Sequence, residues 1–166
     1  MLQKSIKPKR TKTPEQALTA LMNLAARSEK SSGDAMRLMQ NWGVEPSARQ
    51  GVLQKLIDSK FIDDRRYAEA FVRDKMRFSS WGLFKLRAAL RNKGISSEII
   101  EEALRQLDRS SLSDRLRTRL EQKMRTVKAS SRYELKTKLM RYGASLGYDF
   151  ESVADVVDSL ISDIEE

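Results

Sequence analysis

Arginines that recur at helical spacing in the middle of the chain are the residues best suited to bind an anion. At 100° per residue, Arg66, Arg73 and Arg77 fall within about 40° of one another on one predicted helix. Arg87 and Arg91 lie four residues apart on the next predicted helix and share a face. The planar guanidinium donates two hydrogen bonds at once, which suits phosphate or carboxylate. These rows predict a surface for an anionic partner, although a solvated helix face would have the same pattern.

Trp81 lies between the two arginine rows and is followed by Gly82. An indole in this position could stack on a base, anchor a protein interface, or simply pack beneath a helix junction. We therefore group it with the cations around it as the predicted partner-binding set. The set comprises Arg65, Arg66, Arg73, Arg77, Trp81, Lys85, Arg87, Arg91 and Lys93.

The residue types argue against catalysis. The chain has no His and no Cys, so the commonest general base and the usual zinc and iron–sulfur ligands are missing. It also has no P-loop, no Rossmann-type glycine turn, and no HExxH or GxSxG motif. The adjacent carboxylates of Asp63 and Asp64 suit helix capping better than metal binding, because no third ligand converges on them. We expect no enzyme activity, no metal and no cofactor.

The charge balance predicts a polyanionic partner. With 166 residues, 40% of them hydrophobic, the chain is long enough for one domain or a few small units. Lys and Arg total 32 against 23 acidic residues, a net charge of +9, which favours nucleic acid, a nucleoprotein or an acidic protein surface. Residues 149–166 reverse the sign with seven acidic side chains, and could fold back on the basic middle to limit nonspecific DNA binding.

The elements that must position these residues are predicted to be helices. The chain has 3 Pro and 7 Gly, and strand-like alternation is scarce. Capping patterns and amphipathic spacing predict nine helices. Their spans are 14–27, 32–42, 48–59, 64–78, 82–93, 97–108, 112–127, 132–142 and 150–164. Tyr67, Phe71 and Phe78 share one face of the fourth helix and are predicted to be core.

Three glycine stops predict an internal repeat. Gly43, Gly94 and Gly143 each follow a predicted helix and precede an apolar residue, at a spacing of about 50 residues. The prediction is an all-α protein with a flexible basic arm at residues 1–12 and three tandem three-helix repeats. The repeats cover 13–60, 61–110 and 111–166 and form an elongated, curved array. No apolar run reaches the length of a membrane helix or a signal peptide, and we expect a cytoplasmic monomer.

Two segments of the second predicted repeat resemble the RecX family of RecA regulators. The segments read FIDDRRYAEAFVR at residues 61–73 and WGLFKLRAALRNKGI at residues 81–95. The family pattern is an aromatic or Leu, Asp-Asp, a basic residue, an aromatic, Ala and Phe-Val-Arg, continuing with Gly, a basic residue, Arg, Leu and Lys-Gly-Ile. The chain departs from it at 60–62, where Lys-Phe-Ile replaces Gly-Tyr-Leu, and at Leu83, which replaces Pro.

The resemblance implies a non-enzymatic modulator that binds in the groove of the RecA filament on single-stranded DNA. It would inhibit filament growth, ATPase activity and strand exchange, and so act in DNA repair, recombination and the SOS response. The residues alone do not identify RecA. A protein that binds DNA directly through basic helical repeats is the alternative.

Overall fold

The described part of the chain is entirely helical. The structure, a computed structural model, describes residues 11–164, so most of the predicted basic arm lies outside the described residues. Within that range there are nine α-helices and no strand, which confirms the predicted fold class. The helices are α1 (Pro14–Arg27), α2 (Ser32–Asn41), α3 (Pro46–Asp58), α4 (Asp64–Phe78), α5 (Leu83–Asn92), α6 (Ser97–Arg105), α7 (Arg109–Thr126), α8 (Arg132–Ser145) and α9 (Phe150–Ser162).

Side-chain caps fix most of the helix starts. Thr13 and Gln16 form a capping box at α1, in which each side chain accepts a hydrogen bond from the other residue's backbone N–H. Ser31 and Asp34 form the same arrangement at α2.

Two predicted starts are wrong. The seventh helix begins at Arg109 rather than 112, because the Asp108 carboxylate accepts the N–H groups of residues 110 and 111. The third helix begins at Pro46 rather than 48, with proline in its first turn and no side-chain cap.

The glycine stops are confirmed at two of the three predicted positions. Gly43 and Gly94 have φ of 66° and 76°, the left-handed conformation that ends a helix. The third prediction is wrong, because α8 continues through Gly143 to Ser145 and the positive φ, 94°, falls on Gly147. Gly143 serves packing instead, since a Cβ atom there would lie 2.5 Å from a side-chain methyl of Val153.

The first of two compact units contains the described residues up to Tyr67 together with Asn92–Ile95. Helices α1 and α2 both contact α3 within it. Its core is formed by fully buried apolar side chains that include Leu21, Met39 and Leu56. Each is four residues from another buried residue of its own helix, so each helix buries one face. The pairs are Ala17 and Leu21, Ala35 and Met39, and Val52 and Leu56.

The second unit contains Ala68–Arg91 and the described residues from Ser96 onward. Helices α7, α8 and α9 all contact one another in it. Leu116 and Leu120 of α7, Leu139 of α8 and Val157 of α9 are fully buried. The division into three-helix repeats at 13–60, 61–110 and 111–166 stays a prediction.

Phe78 is not a core residue, contrary to the sequence prediction. Its side chain is 74% exposed, whereas Tyr67 is buried and Phe71 half-buried. The buried face of α4 in the second unit runs through Val72 and Met76, which are four residues apart. At 100° per residue, Phe78 lies about 140° around the helix from the centre of that face, and it is the last residue of α4, so its ring reaches solvent.

Candidate partner-binding surface

Two arginines of α4 are the clearest candidates for partner contact. Arg73 and Arg77 are exposed and share one side of the helix. The adjacent row, Val72 and Met76, is buried. Because consecutive helical residues are about 100° apart, burial of Val72 and Met76 places the arginines that follow them at the boundary between the buried face and solvent. Within residues 11–164 neither arginine forms an ion pair, so both guanidinium groups are available to an anion.

Arg66 is used inside the first unit, although it belongs to the same predicted row. Its Nε donates to Oε1 of Glu29 at 2.7 Å, and a terminal nitrogen donates to two backbone carbonyls at 3.1 and 3.4 Å. The hydrogen bond to Glu29 raises the pKa of Arg66 above its ordinary value. Arg65 lies exposed in the first turn of α4. These two residues belong to a different unit from Arg73 and Arg77.

In the second predicted row, on α5, one arginine has an internal partner and the other faces solvent. Arg87 is bound to Glu101 through two hydrogen bonds, of 2.6 and 3.3 Å, between the guanidinium and the carboxylate. The hydrogen bond from Arg87 holds the pKa of Glu101 below its ordinary value. Arg91 is exposed and forms no ion pair within residues 11–164. Of the two, Arg91 is the residue left for a partner.

Two lysine ammonium groups lie over the ring of Trp81. The Nζ atoms of Lys75 and Lys85 lie 4.4 and 4.6 Å from the centre of its ring, within cation–π distance. Phe71 meets the same indole edge-on, with ring centres 6.1 Å apart. Lys85 also donates a hydrogen bond of 3.3 Å to the carbonyl of Ser145. The half-buried Trp81 thus holds Lys75 and Lys85 against its ring. Its contact with a partner stays a prediction.

Lys93 is bound within the first unit. Its ammonium lies 3.1 Å from the carboxylate of Asp34, and its backbone carbonyl accepts a hydrogen bond of 2.7 Å from the Ser31 hydroxyl. Burial acts to raise the pKa of Asp34, but hydrogen bonds from Lys93 and Ser31 outweigh it and hold that pKa below its ordinary value. Lys93 therefore has a structural partner.

An open groove in the second unit joins three arginines to an apolar floor. It has a volume of about 550 Å³. Arg73, Arg77 and Arg115 line it together with Met76 and Leu107. We call this feature the arginine groove. Within residues 11–164, by contrast, no three acidic side chains come together in a way that could hold a metal ion. No helix in that range has the length and apolar character needed to span a membrane.

Comparison with known proteins identifies the family. A family model described as "RecX, second three-helix domain" matches residues 63–104. Over 120 residues the chain is 32% identical to the regulatory protein RecX of Prosthecochloris aestuarii, covering 72% of this chain and 77% of that protein. The chain belongs to the RecX family. The RecX of Clostridium botulinum is 30% identical over 133 residues, or 79% of this chain, but this chain covers only 60% of it.

Two solved RecX structures have the same fold. The crystal structure of RecX from Lactobacillus salivarius superposes with a TM-score of 0.77 at 20% identity, covering 89% of this chain and 96% of that one. A second RecX crystal structure gives a TM-score of 0.79 at 19% identity, covering 87% and 71%. The helical arrangement is therefore shared across RecX proteins whose sequences have diverged widely.

The Asp-Asp pair of the RecX-like segment has a structural use in this chain. Asp63 caps α4 by accepting the N–H of Arg66 at 3.1 Å. Asp64 accepts hydrogen bonds from both the N–H and the hydroxyl of Ser32, at the start of α2. The first acid was predicted as a cap, but the reach of the second to α2 has no signal in local sequence.

Sequence reasoning missed several surface residues of the second unit. Arg115 is not among the predicted site residues, because its position in the arginine groove depends on tertiary contacts. Phe84 is 58% exposed, with the Arg87 guanidinium 5.9 Å from its ring centre. Lys75, whose ammonium lies over the Trp81 ring, is on a different face of α4 from the arginine row and is not in the predicted set. An aromatic residue three positions before an arginine, on the same face of a helix start, is a signal that could have identified Phe84.

Proposed function

We propose that this chain modulates the RecA recombinase by binding the RecA filament on single-stranded DNA. Bound there, it inhibits filament growth, ATP hydrolysis and strand exchange without catalysing a reaction itself. The observation that carries the proposal is family membership: relatives that match most of this chain are named regulatory protein RecX. The residues matched by the family model, 63–104, also contain the exposed Arg73, Arg77 and Arg91.

The surface chemistry supports an anionic target. Arg73, Arg77 and Arg91 are exposed and form no ion pairs within residues 11–164. A net charge of +9 attracts both DNA and acidic protein surfaces over a distance set by the ionic strength. The protein is then drawn to a nucleoprotein filament more strongly than a neutral protein of the same fold would be.

A titration of this protein into RecA on single-stranded DNA tests the proposal. ATP hydrolysis is followed while binding to the same bare DNA is measured at matched salt. We expect inhibition at protein concentrations far below those that saturate bare DNA. If inhibition appears only when the DNA is coated, the protein competes for DNA, and direct DNA binding through its basic helices becomes the better explanation.

Charge reversal locates the surface. Replacing Arg73 and Arg77 by Glu should raise the concentration needed for half-inhibition by about tenfold or more, because each guanidinium is lost and its position becomes repulsive. The matched control replaces Arg125 and Arg141 by Glu, since both are exposed and form no ion pair within the described range. Equal losses in the two variants would assign the effect to net charge and remove Arg73 and Arg77 from the site.

A further inference from the structure

The floor of the arginine groove is aliphatic. Val72 and Met76 of α4 and Ala103 of α6 are buried beneath it, and Leu107 is half-buried beside them. The groove remains open to solvent, so these side chains form a shallow apolar recess on an otherwise charged surface. A recess of this kind gains free energy by covering one apolar side chain of a partner.

The rim of the groove is cationic, and one of its cations is held in place. The Nε of Arg115 donates to the hydroxyl of Ser111 at 3.3 Å, and a terminal nitrogen donates to the carbonyl of Met76 near the end of α4. That carbonyl is among the last of α4, which have no helical donor of their own. Arg73 and Arg77 complete the rim as exposed side chains. A ligand with several negative charges complements this arrangement.

The lining favours a protein segment over a nucleic acid strand. Single-stranded nucleic acid binds by stacking its bases on aromatic rings, and the residues that line this groove include none. Glu69 also lines the groove, and its carboxylate can accept a hydrogen bond from a peptide N–H, a donor that a sugar–phosphate backbone lacks. The amide of Gln106 offers both a donor and an acceptor for a peptide backbone.

We propose that the arginine groove binds an acidic protein segment, with one aliphatic side chain of the segment on the apolar floor and its carboxylates on the three arginines. This inference rests on the proposed function, because Arg73 and Arg77 belong to both. It adds the chemical class of the segment that a protein partner presents. The arginines provide attraction and orientation, and the floor provides selectivity for an apolar residue between acids.

The inference is tested by measuring how tightly the full chain binds three fluorescent probes of equal or nearly equal charge. The first is a capped peptide, DDDDLDDDD; the second replaces its Leu by Ser; the third is an oligothymidine with the same number of negative charges. Fluorescence anisotropy at fixed salt gives the three dissociation constants. We expect the Leu peptide to bind about tenfold more tightly than the Ser peptide, because only leucine gains from the floor, and more tightly than the oligothymidine.

Two double variants localise the binding. R73E/R77E should lose at least about tenfold in affinity for the Leu peptide, while R125E/R141E, with the same change in net charge, should lose much less. Circular dichroism confirms that each variant is folded. Equal affinity for the Leu and Ser peptides, tighter binding of the oligothymidine, or equal losses in the two variants would each overturn the proposal.

The outcomes separate this inference from the proposed function. If the Leu peptide binds as expected but RecA hydrolyses ATP at an unchanged rate, the groove proposal stands and the RecA proposal fails. If ATP hydrolysis is inhibited and R73E/R77E abolishes that inhibition, yet the two peptides bind equally, the RecA proposal stands and the groove proposal fails.

Discussion

At the scale of single residues, the carboxylate of Asp64 fastens the start of α2. The N–H of Ser32 donates to it at 2.8 Å and the Ser32 hydroxyl at 2.5 Å. Backbone N–H groups in the first turn of a helix have no intrahelical acceptor, and a negative charge there also complements the helix dipole. The contact joins two positions 32 residues apart in the sequence.

Removing this carboxylate should destabilise the protein. We expect Asp64→Ala to lower the free energy of unfolding by about 1–3 kcal/mol, because two hydrogen bonds to a charged acceptor are lost. Asp74→Ala is the control, since Asp74 is an exposed acid on the same helix with no ion pair in the described range. Urea denaturation measures both. A loss no larger for Asp64 than for Asp74 would contradict the role assigned to Asp64.

Asp34 should make stability depend on pH in the acid range. Hydrogen bonds from Lys93 and Ser31 outweigh its burial and hold its pKa in the folded protein below the ordinary value of 3.8. The unfolded chain therefore takes up a proton first as the pH falls, and the contribution of Asp34, complete above that value, is lost below it. We expect the stability difference between the wild type and Asp34→Asn to be largest near neutral pH and to shrink below about pH 4. A difference that stays constant from pH 6 to pH 3 would exclude this linkage.

At the scale of helices, α8 and α9 depend on a close approach at Gly143. A Cβ atom added to Gly143 would lie 2.5 and 2.8 Å from the two methyl groups of Val153, which is buried in α9. At Gly51, in the exposed part of α3, an added Cβ would meet nothing within 4 Å. The two glycines are both helical and differ only in what surrounds them.

This difference predicts that replacing glycine by alanine changes the free energy of unfolding in opposite directions at the two positions. Gly143→Ala should cost about 1–3 kcal/mol by forcing α8 away from α9. Gly51→Ala should stabilise by roughly 0.5–1 kcal/mol, because alanine has the higher helix propensity and restricts the unfolded chain. Thermal unfolding of the two variants beside the wild type gives both signs in one experiment. Stabilisation by Gly143→Ala would show that the helices can relax around the methyl group.

Most of the helical architecture could be predicted from the sequence because its signals are local. The capping boxes at Thr13 and Ser31 involve residues three apart, and amphipathic spacing needs only one helix at a time. The end of α8 could not be predicted in this way. Gly143 and Gly147 are equally good local stops, and the contact of Gly143 with Val153 decides between them.

The candidate site was less predictable, for the same reason. All nine predicted residues were chosen by type and spacing, but the partners of three of them are acids distant in sequence. Glu29 is 37 positions from Arg66, Asp34 is 59 from Lys93, and Glu101 is 14 from Arg87. Helical geometry can therefore identify a row of cations, whereas only the folded chain distinguishes a cation with an internal partner from one that faces solvent.

At the scale of the whole molecule, the acidic end of the chain neutralises part of its basic middle. Within the second unit, Asp158 of α9 lies 2.6 Å from the ammonium of Lys136, and Asp163, just after α9, lies 2.9 Å from the Arg117 guanidinium. Exposed pairs of this kind contribute little to stability, typically below about 1 kcal/mol. Their larger effect is on the charge that the surface presents to DNA.

Breaking these two pairs should strengthen DNA binding. We expect Asp158→Asn with Asp163→Asn to bind bare single-stranded DNA more tightly, with a dependence of log K on log salt steeper by about 1. The released Lys136 can then engage a phosphate, while Arg117 loses one of its two acidic partners and keeps Glu121. Glu151→Gln with Asp155→Asn changes the net charge equally at exposed acids of α9 that form no ion pair within residues 11–164. Identical salt slopes for the two variants would reject shielding by the paired acids.

The two tryptophans supply a separate optical signal for each unit. The chain contains only Trp42 and Trp81, and the first lies in one compact unit and the second in the other. A lysine ammonium lies within cation–π distance of each indole: Lys12 is 5.0 Å from the Trp42 ring centre, and Lys75 is 4.4 Å from that of Trp81. Indole emission shifts when a neighbouring charge or water moves. Single-tryptophan variants therefore allow the melting of one unit to be followed by fluorescence while the other stays optically silent.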